Sequence, residues 1–370
     1  MKSEKTIRLS QLNDWQKSLL ARISYLDIDK EAFQRLKMEK NEITISDLHF
    51  LLKTPDSFYV GAVADIGVIK KIAGMEMTDR QLLETIEIAG LGDLKVKDVR
   101  ANGKSGFEGM CFFDNFGNVG FSFRGTDLKT FKSLLNDVST DVRSYLTAGK
   151  VEQVDDAKAM FEENFDRETR NNYLYGHSLG GHLVESIYAD SYEWIQNAFV
   201  INPFNLVESI IANDIDKFDA FNNTEKFDCV IIGGDVVSKF NPPTFFLGNV
   251  RYVANAEDRR NNFLYAHTVE AGKIDEYGNF EEVSMKKAYL NYDIKLIEKF
   301  MGFADNVKRE SRAKNRLSTK ELKRFSLMGT KIKDSFNTLK DTLKKHKNLK
   351  KQKLNRSNDT ELVEYDEEIK

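Results

Sequence analysis

A serine between two glycines offers the clearest chemistry in this sequence. Residues 176–180 read Gly-His-Ser-Leu-Gly, with Gly176 and Gly180 two positions before and after Ser178. A short apolar run precedes this pentapeptide and helical apolar spacing follows it, which is the strand-turn-helix order of a nucleophile elbow. Small residues are needed at both positions because side chains would clash in so tight a turn. The pattern predicts Ser178 as the nucleophile of an acyl transfer, near a helix N-terminus that can receive an oxyanion.

A serine hydroxyl reacts at neutral pH only when a base takes its proton, and histidine is the usual base. The chain has five histidines. His177 lies inside the pentapeptide, and His182 lies one turn into the following helix. His49 is near the N-terminus, and His346 is in a lysine-rich C-terminal segment. His267 remains by elimination, on a segment that follows the last predicted strand, and we expect it to be the base.

The base needs a carboxylate to orient it, and the order Ser, Asp, His places that acid between Ser178 and His267. Asp235 is the strongest candidate because it follows a predicted strand, 227–232, through a Gly-Gly turn. Asp228 begins the same strand and so belongs to the opposite edge of the sheet, and Asp258 is a weaker alternative. Three other aspartates lie in a polar region and are interpreted as solvated charges: Asp214, Asp216 and Asp219.

A second glycine turn, residues 123–127 (Phe-Arg-Gly-Thr-Asp), ends another predicted strand. Enzymes with α/β folds commonly use a glycine at such a strand end to point a backbone N–H toward the substrate. Gly125 therefore marks a candidate oxyanion loop.

The surrounding pattern predicts the elements that position these residues. A β-meander is expected first, and later strands alternate with helices, which indicates an α/β fold with a mainly parallel sheet covered by helices on both faces. The predicted strands, besides the one that precedes Gly176, are 94–100, 106–114, 119–124, 198–202, 227–232 and 250–254. The predicted helices are 12–33, 78–88, 154–165 and 283–303, with a small hairpin turn at 272–280.

Residues 128–146 have apolar side chains at helical spacing. Two interpretations remain open for this segment. It can be a helix packed on the sheet, or a lid over an apolar acyl site.

Charge is unevenly distributed along the 370 residues, whose formal net charge is −3. Residues 304–357 contain 18 Lys or Arg against 5 Asp or Glu, and residues 358–370 contain 6 acidic residues against 1 basic. We therefore predict an acidic globular domain at 1–303, a basic helical extension at 304–357 and an acidic, disordered tail at 358–370.

Within the extension, apolar residues recur every three or four positions at 320–351. A basic amphipathic helix of this kind suits an anionic membrane surface or the groove of a partner protein, or it packs on the globular domain. We expect no nucleic-acid partner, because no recognisable nucleic-acid-binding domain surrounds the lysines.

Composition narrows the class of protein. A hydrophobic share of 41% indicates a globular chain, and no apolar run is long enough to predict a transmembrane helix. The charged N-terminus does not resemble a secretory signal. We expect a cytoplasmic protein, or one exported without a Sec signal, with peripheral membrane attachment as a further expectation. The two cysteines, Cys111 and Cys229, lie in apolar strands and are expected to be small buried residues.

Four stretches resemble the class 3 lipase family of α/β-hydrolases: GHSLGGH, FRGTD, GGDVVS and the segment around His267. Ser24-Tyr25-Leu26-Asp27 also resembles the N-terminal helix of a bacterial branch, and the resemblance covers about residues 9–303. It implies an α/β-hydrolase fold, hydrolysis of carboxylic esters in acylglycerols or phospholipids, and no cofactor. It also implies that the backbone N–H groups of Thr126 and Leu179 form the oxyanion hole. The chain departs from the family in its basic extension, and we expect it to have neither the disulfides nor the signal peptide of the family.

Three functions stay open at this point. The leading one is a lipid esterase of lipase or phospholipase A type. The second is a hydrolase of small esters or thioesters, which an interface would not activate. The third is an exported effector or interaction protein that acts through its C-terminal extension.

Overall fold

The computed structural model describes residues 7–53, 55, 77–125, 152–168, 171–204, 221, 225–235, 247–256 and 265–288. The chain divides into two compact units, Met1–Ser284 and Met285–Lys370. The described part of the second unit is a short helix, Met285–Ala288. Both predicted domain boundaries lie outside the described residues, as do the amphipathic segments 128–146 and 320–351.

A seven-stranded mixed sheet, with its strands side by side in sequence order, forms the centre of the first unit. The strands are β1 (Lys95–Asn102), β2 (Phe107–Phe113), β3 (Val119–Phe123), β4 (Asn172–His177), β5 (Ile195–Ile201), β6 (Phe227–Ile232) and β7 (Asn249–Val253). Strands β1 to β3 pair antiparallel, and β3 to β7 pair parallel. The predicted meander and the parallel strands after it are confirmed.

Helices cover both faces of this sheet. They are α1 (Asp14–Ile23), α2 (Lys30–Glu39), α3 (Asp79–Ile88), α4 (Glu152–Asn164) and α5 (Leu179–Ser191). Consecutive side chains of a strand point to opposite faces of the sheet, and two neighbouring residues of β3 make contacts on the two faces. Phe121 packs its ring 5.1 Å from that of Phe161 in α4, whereas the hydroxyl of Ser122 donates to that of Ser24, directly after α1, at 3.1 Å. The architecture is an α/β-hydrolase-like fold, as predicted.

The single helix predicted at 12–33 is wrong, because two helices stand there. Asn13 caps α1 in a reciprocal pair with Gln16, and the helix ends at Ile23. The Asp29 side chain then accepts the N–H of Ala32 and begins α2. Apolar spacing continues through this break, because the spacing records which residues are buried and not where a side chain caps the backbone.

Candidate active site

Ser178 occupies a strained backbone position between β4 and α5. Its φ of 57° and ψ of −126° are sparsely populated for a residue with a side chain. The surrounding structure holds this conformation: the Ser178 N–H donates to the Ile201 carbonyl at 3.1 Å, and its own carbonyl accepts from Gly181 at 3.0 Å. The turn directs the Ser178 side chain away from the ladder of the sheet, as in a nucleophile elbow.

Both glycines of the pentapeptide lie where no side chain fits. A Cβ at Gly176 would overlap the carbonyl of Gly180 and lie 2.8 Å from the nitrogen of Gly181. A Cβ at Gly180 would overlap the carbonyl oxygen of Phe123 in β3. Because these neighbours are backbone atoms, they cannot rotate away. Close approach of β3, β4 and α5 is thus the physical reason for the glycines.

The structure brings together the three residues that the sequence singled out. The Nε2 atom of His267 lies 2.9 Å from Oγ of Ser178, and its Nδ1 atom lies 2.7 Å from Oδ1 of Asp235. All three are buried, with relative exposures of 2% for Ser178, 7% for His267 and 0% for Asp235. The arrangement can take a proton from the hydroxyl and stabilise the resulting imidazolium.

Asp235 reaches this position from the carboxyl end of β6. The strand ends at Ile232, and the turn that follows contains Gly234 at φ +91°, a conformation that favours glycine. The Asp235 N–H donates back to the Ile232 carbonyl at 3.1 Å. Asp228, at the other end of the same strand, instead contacts Asn249 and Lys17. Asp258 and the three aspartates of the polar region lie outside the described residues.

His267 lies in a short 3₁₀ turn, Tyr265–His267, whose backbone is held by Asn202. The Asn202 amide donates to the carbonyls of Ala266 at 3.1 Å and His267 at 3.3 Å, and its oxygen accepts the N–H of Ile232 at 2.9 Å. Asn202 is fully buried at φ 45°. Sequence reasoning missed this residue, although an asparagine directly after the apolar run 198–201 was a usable signal, because asparagine tolerates a positive φ.

His177 and Tyr25 also contact this group, and sequence reasoning assigned neither a role from the residues. Nε2 of His177 lies 2.6 Å from the carbonyl oxygen of His267, and Nδ1 lies 3.0 Å from the hydroxyl of Tyr25. Burial, followed by the charge of the neighbouring His267, lowers the pKa of His177 well below its ordinary value. His177 is therefore neutral at physiological pH.

Two other histidines are described: His182 lies one turn into α5, where its backbone N–H donates to the Ser178 carbonyl at 3.4 Å, and His49 lies near the N-terminus. Burial lowers the pKa of His182, within α5, to about 4, so it stays neutral. His49 lies 3.5 Å from Glu87 on the protein surface. His346 falls outside the described residues.

Of the two predicted oxyanion donors, Leu179 lies within the described residues. Leu179 is the first residue of α5, and within the described part of the chain its N–H has no hydrogen-bond acceptor. Thr126 lies outside the described residues. Gly125, which precedes it, does not direct its N–H toward a substrate as the sequence suggested. That N–H donates to the Tyr25 hydroxyl at 2.9 Å.

Across the residues that the structure describes, no three His, Cys, Asp or Glu side chains converge as a metal site. Cys111 and Cys229 are free and buried within strands, as predicted, and burial raises the pKa of Cys111 to about 12. Of the helices described, none has the length and apolar character needed to cross a membrane.

No protein-family model matches this sequence, and no curated protein matches it. The fold is similar to solved structures of triacylglycerol lipases. The Rhizomucor miehei triacylglyceride lipase is 14% identical over 45% of this chain and 69% of its own, with a TM-score of 0.31. The Penicillium expansum triacylglycerol lipase is 13% identical over 44% of this chain and 71% of its own, with a TM-score of 0.28. A triacylglycerol lipase with a serine protease triad as its catalytic centre is 13% identical over 44% of this chain and 68% of its own, with a TM-score of 0.30. Likenesses this distant carry no conclusion about reaction or substrate.

Proposed function

We propose that this protein is a serine hydrolase of carboxylic esters in lipids, of the triacylglycerol lipase or phospholipase A type. The observation that carries the proposal is the hydrogen-bonded series from Ser178 through His267 to Asp235, which is buried beyond the carboxyl ends of the parallel strands β4 and β6. The sequence resemblance to class 3 lipases, and to their bacterial branch, is a second and weaker support. No cofactor is required for this reaction.

Acylation begins when Oγ of Ser178 attacks the ester carbonyl and its proton moves to Nε2 of His267. The carbonyl π electrons move to oxygen, and the tetrahedral oxyanion accepts hydrogen bonds from the backbone N–H groups of Leu179 and, as we propose, Thr126. When the C–O bond to the leaving alcohol breaks, His267 returns the proton to that alcohol. Asp235 holds the imidazole in one tautomer and stabilises its cation throughout.

Deacylation reverses these roles. A water molecule gives a proton to His267 and attacks the acyl carbonyl of Ser178. The second tetrahedral intermediate uses the same N–H donors, and its collapse returns the proton to Oγ. The free carboxylic acid leaves, and the serine is restored.

Lipid esters are proposed over small esters because of the family resemblance and the basic amphipathic segment at 320–351. The second candidate, a hydrolase of small esters or thioesters, shares the same three residues. The two differ in whether activity rises when the substrate forms an interface. Activity that stays flat across the solubility limit of a triacylglycerol or phospholipid would favour the second candidate.

Ser178→Ala tests the proposal directly. We expect the variant to fold as the wild type does and to lose hydrolysis by on the order of 10⁵-fold or more. Ser186→Ala is a matched control, because its hydroxyl, also on α5, donates to the His182 carbonyl and not to His267. Product lipids from diacyl phospholipids and triacylglycerols should be compared for both variants by mass spectrometry. Ester hydrolysis that persists in Ser178→Ala contradicts the proposal.

A further inference from the structure

Three hydrogen bonds join the candidate oxyanion loop to the backbone of the candidate base. The N–H of Gly125 donates to the Tyr25 hydroxyl at 2.9 Å, this hydroxyl lies 3.0 Å from Nδ1 of His177, and Nε2 of His177 lies 2.6 Å from the His267 carbonyl. A longer contact, 3.4 Å, links the same hydroxyl to the His177 carbonyl. Gly125 and His267 are the two ends of this series and come from distant parts of the chain. Tyr25 and His177 lie between them.

The direction of each of these bonds follows from chemistry. A carbonyl oxygen only accepts, so Nε2 of His177 must carry the proton that faces His267. Because His177 is neutral in its buried position, its Nδ1 carries no proton and accepts from the Tyr25 hydroxyl. The hydroxyl oxygen can then accept the Gly125 N–H. All three bonds therefore donate in the direction from Gly125 to His267. A change at Tyr25 alters the hydrogen bonds on both sides of its hydroxyl.

Close packing leaves little freedom at the Gly125 end. A Cβ at Gly125 would overlap the Tyr25 hydroxyl and lie 2.7 Å from the His177 carbonyl oxygen and 3.0 Å from Cβ of Ser178. The space between Gly125 and the candidate nucleophile is therefore too small for a side chain. The hydrogen bond from the Gly125 N–H fixes the peptide group between Arg124 and Gly125, which directly precedes Thr126 in the sequence.

The segment that carries Tyr25 is held in turn by contacts of the residues on either side of it. The Ser24 hydroxyl accepts from Ser122 of β3, and the backbone N–H of Asp27 donates to the buried Asp79 carboxylate at 3.0 Å. Arg22 forms a buried ion pair with Glu270, three residues after His267. The segment from Arg22 to Asp27 is thus fixed to the sheet, to α3 and to the segment that carries His267.

We propose that Tyr25 and His177 are positioning residues that orient the oxyanion loop at Gly125 and the backbone of His267 together. This inference rests on the proposed function, because it assigns a role within the same ester hydrolysis. Tyr25 does not touch the reacting atoms in this scheme. Its effect falls on transition-state stabilisation, since both ends of the series act after the substrate binds.

Tyr25→Phe removes one oxygen atom and keeps the ring. With p-nitrophenyl butyrate as the probe, we expect kcat to fall by about 10- to 100-fold with KM changed less than about threefold. The inhibition constant of an arylboronic acid, which forms a tetrahedral adduct with serine, should rise by the same factor as kcat/KM falls. Tyr175→Phe is the matched control, because its buried hydroxyl has no hydrogen-bond partner among the described residues. Its kcat should equal that of the wild type.

Two variants at His177 keep the inference testable if Tyr25→Phe folds poorly. Glutamine can place its amide nitrogen where Nε2 stands, within reach of the His267 carbonyl, whereas asparagine can reach only the position of Nδ1. We expect His177→Gln to retain at least about tenfold more activity than His177→Asn at equal thermal stability, a difference in the range of one well-placed donor. Equal activity of the two variants would overturn the His177 part of the inference.

The outcomes separate this inference from the proposed function. If Ser178→Ala remains active, the proposed function fails whatever Tyr25 does. If Ser178→Ala is inactive while Tyr25→Phe matches the wild type in kcat and boronate affinity, only the positioning role is wrong. A rise in KM with unchanged kcat in Tyr25→Phe also contradicts that role, because it would place Tyr25 in substrate binding.

Discussion

The Oδ1 atom of Asp235 lies 2.7 Å from Nδ1 of His267, across 32 residues of sequence, and the aspartate is wholly buried. A carboxylate in this position determines which ring nitrogen carries the proton. It leaves Nε2 as the acceptor that faces the Ser178 hydroxyl at 2.9 Å. The proposed chemistry of Ser178 therefore depends on a carboxylate at the end of a different strand.

Asp235→Asn tests this dependence. The amide group can donate to Nδ1 and so favour the wrong tautomer of His267, and we expect kcat to fall by about 10⁴-fold. Asp228→Asn is the control, because Asp228 lies at the opposite end of β6 and contacts Lys17 and Asn249. Steady-state kinetics of both variants, with circular dichroism to verify folding, make the comparison. A similar kcat for the two variants would remove Asp235 from the proposed mechanism.

Gly180→Ala tests the steric reason for the elbow. The new Cβ would overlap the Phe123 carbonyl oxygen and lie 3.0 Å from the carbonyl carbon of Arg124. We expect the free energy of unfolding to fall by about 1–3 kcal/mol, the usual cost of overpacking. Gly103→Ala, where a Cβ meets nothing within 4 Å, should change little. Urea unfolding curves measure both, and equal midpoints would contradict the packing argument.

Asp79→Asn should change how stability depends on pH. Burial raises the pKa of Asp79 from 3.8 to about 6, so the folded protein holds this proton more tightly than the unfolded chain does. The contribution of Asp79 to wild-type stability therefore decreases as the pH rises from about 4 to about 6, and the loss persists above that range. Asparagine has no proton to lose and keeps an oxygen for the Asp27 N–H. The stability of the variant relative to the wild type should rise across that window by about 1–2 kcal/mol.

Urea unfolding at about pH 3.5, 5 and 7.5 measures this change. The difference between variant and wild type should be smallest at the lowest pH and largest at the highest. A difference that stays constant across the three conditions would show that Asp79 keeps the same protonation behaviour in the folded and unfolded chains.

One of the alternatives for the basic segment at 320–351 is that it brings the protein to an anionic membrane surface, and this alternative can be tested directly. Reversing the charge of Lys344, Lys345 and Lys347 to glutamate should weaken flotation with phosphatidylserine vesicles, because each basic residue near such a surface contributes about 1 kcal/mol. Hydrolysis of a soluble ester should be unchanged. A control variant reverses three exposed lysines of the globular domain: Lys37, Lys104 and Lys273. Equal flotation of the two variants and the wild type would contradict membrane binding by this segment. It would favour contact with a partner protein or packing on the globular domain.

Much of the fold could be read from the sequence because its signals are local. The strands that were predicted at 227–232 and 250–254 stand as β6 and β7, shifted by at most one residue at each end. The pentapeptide around Ser178 lies between a strand and a helix as its pattern indicates. Apolar runs, strand-ending turns and glycines reflect local requirements of the backbone, so they can be interpreted without knowledge of the tertiary contacts.

The same local reading was less complete at 12–33, where caps at Asn13 and Asp29 divide one apolar pattern between two helices. It was also less complete around the site. Chain order and strand ends suggested Asp235 and His267, but they could not give the distances between side chains that the proposed mechanism needs.

What the sequence alone determined is the elbow, the order of the strands, and a short set of candidate residues. What only the tertiary structure decided is which distant groups meet: Tyr25 with Gly125 and His177, and Asn202 with the His267 backbone. The physical reason is that these hydrogen bonds join buried polar groups that are far apart in the sequence. Which of them meet depends on the tertiary packing, and no local pattern of residues encodes it.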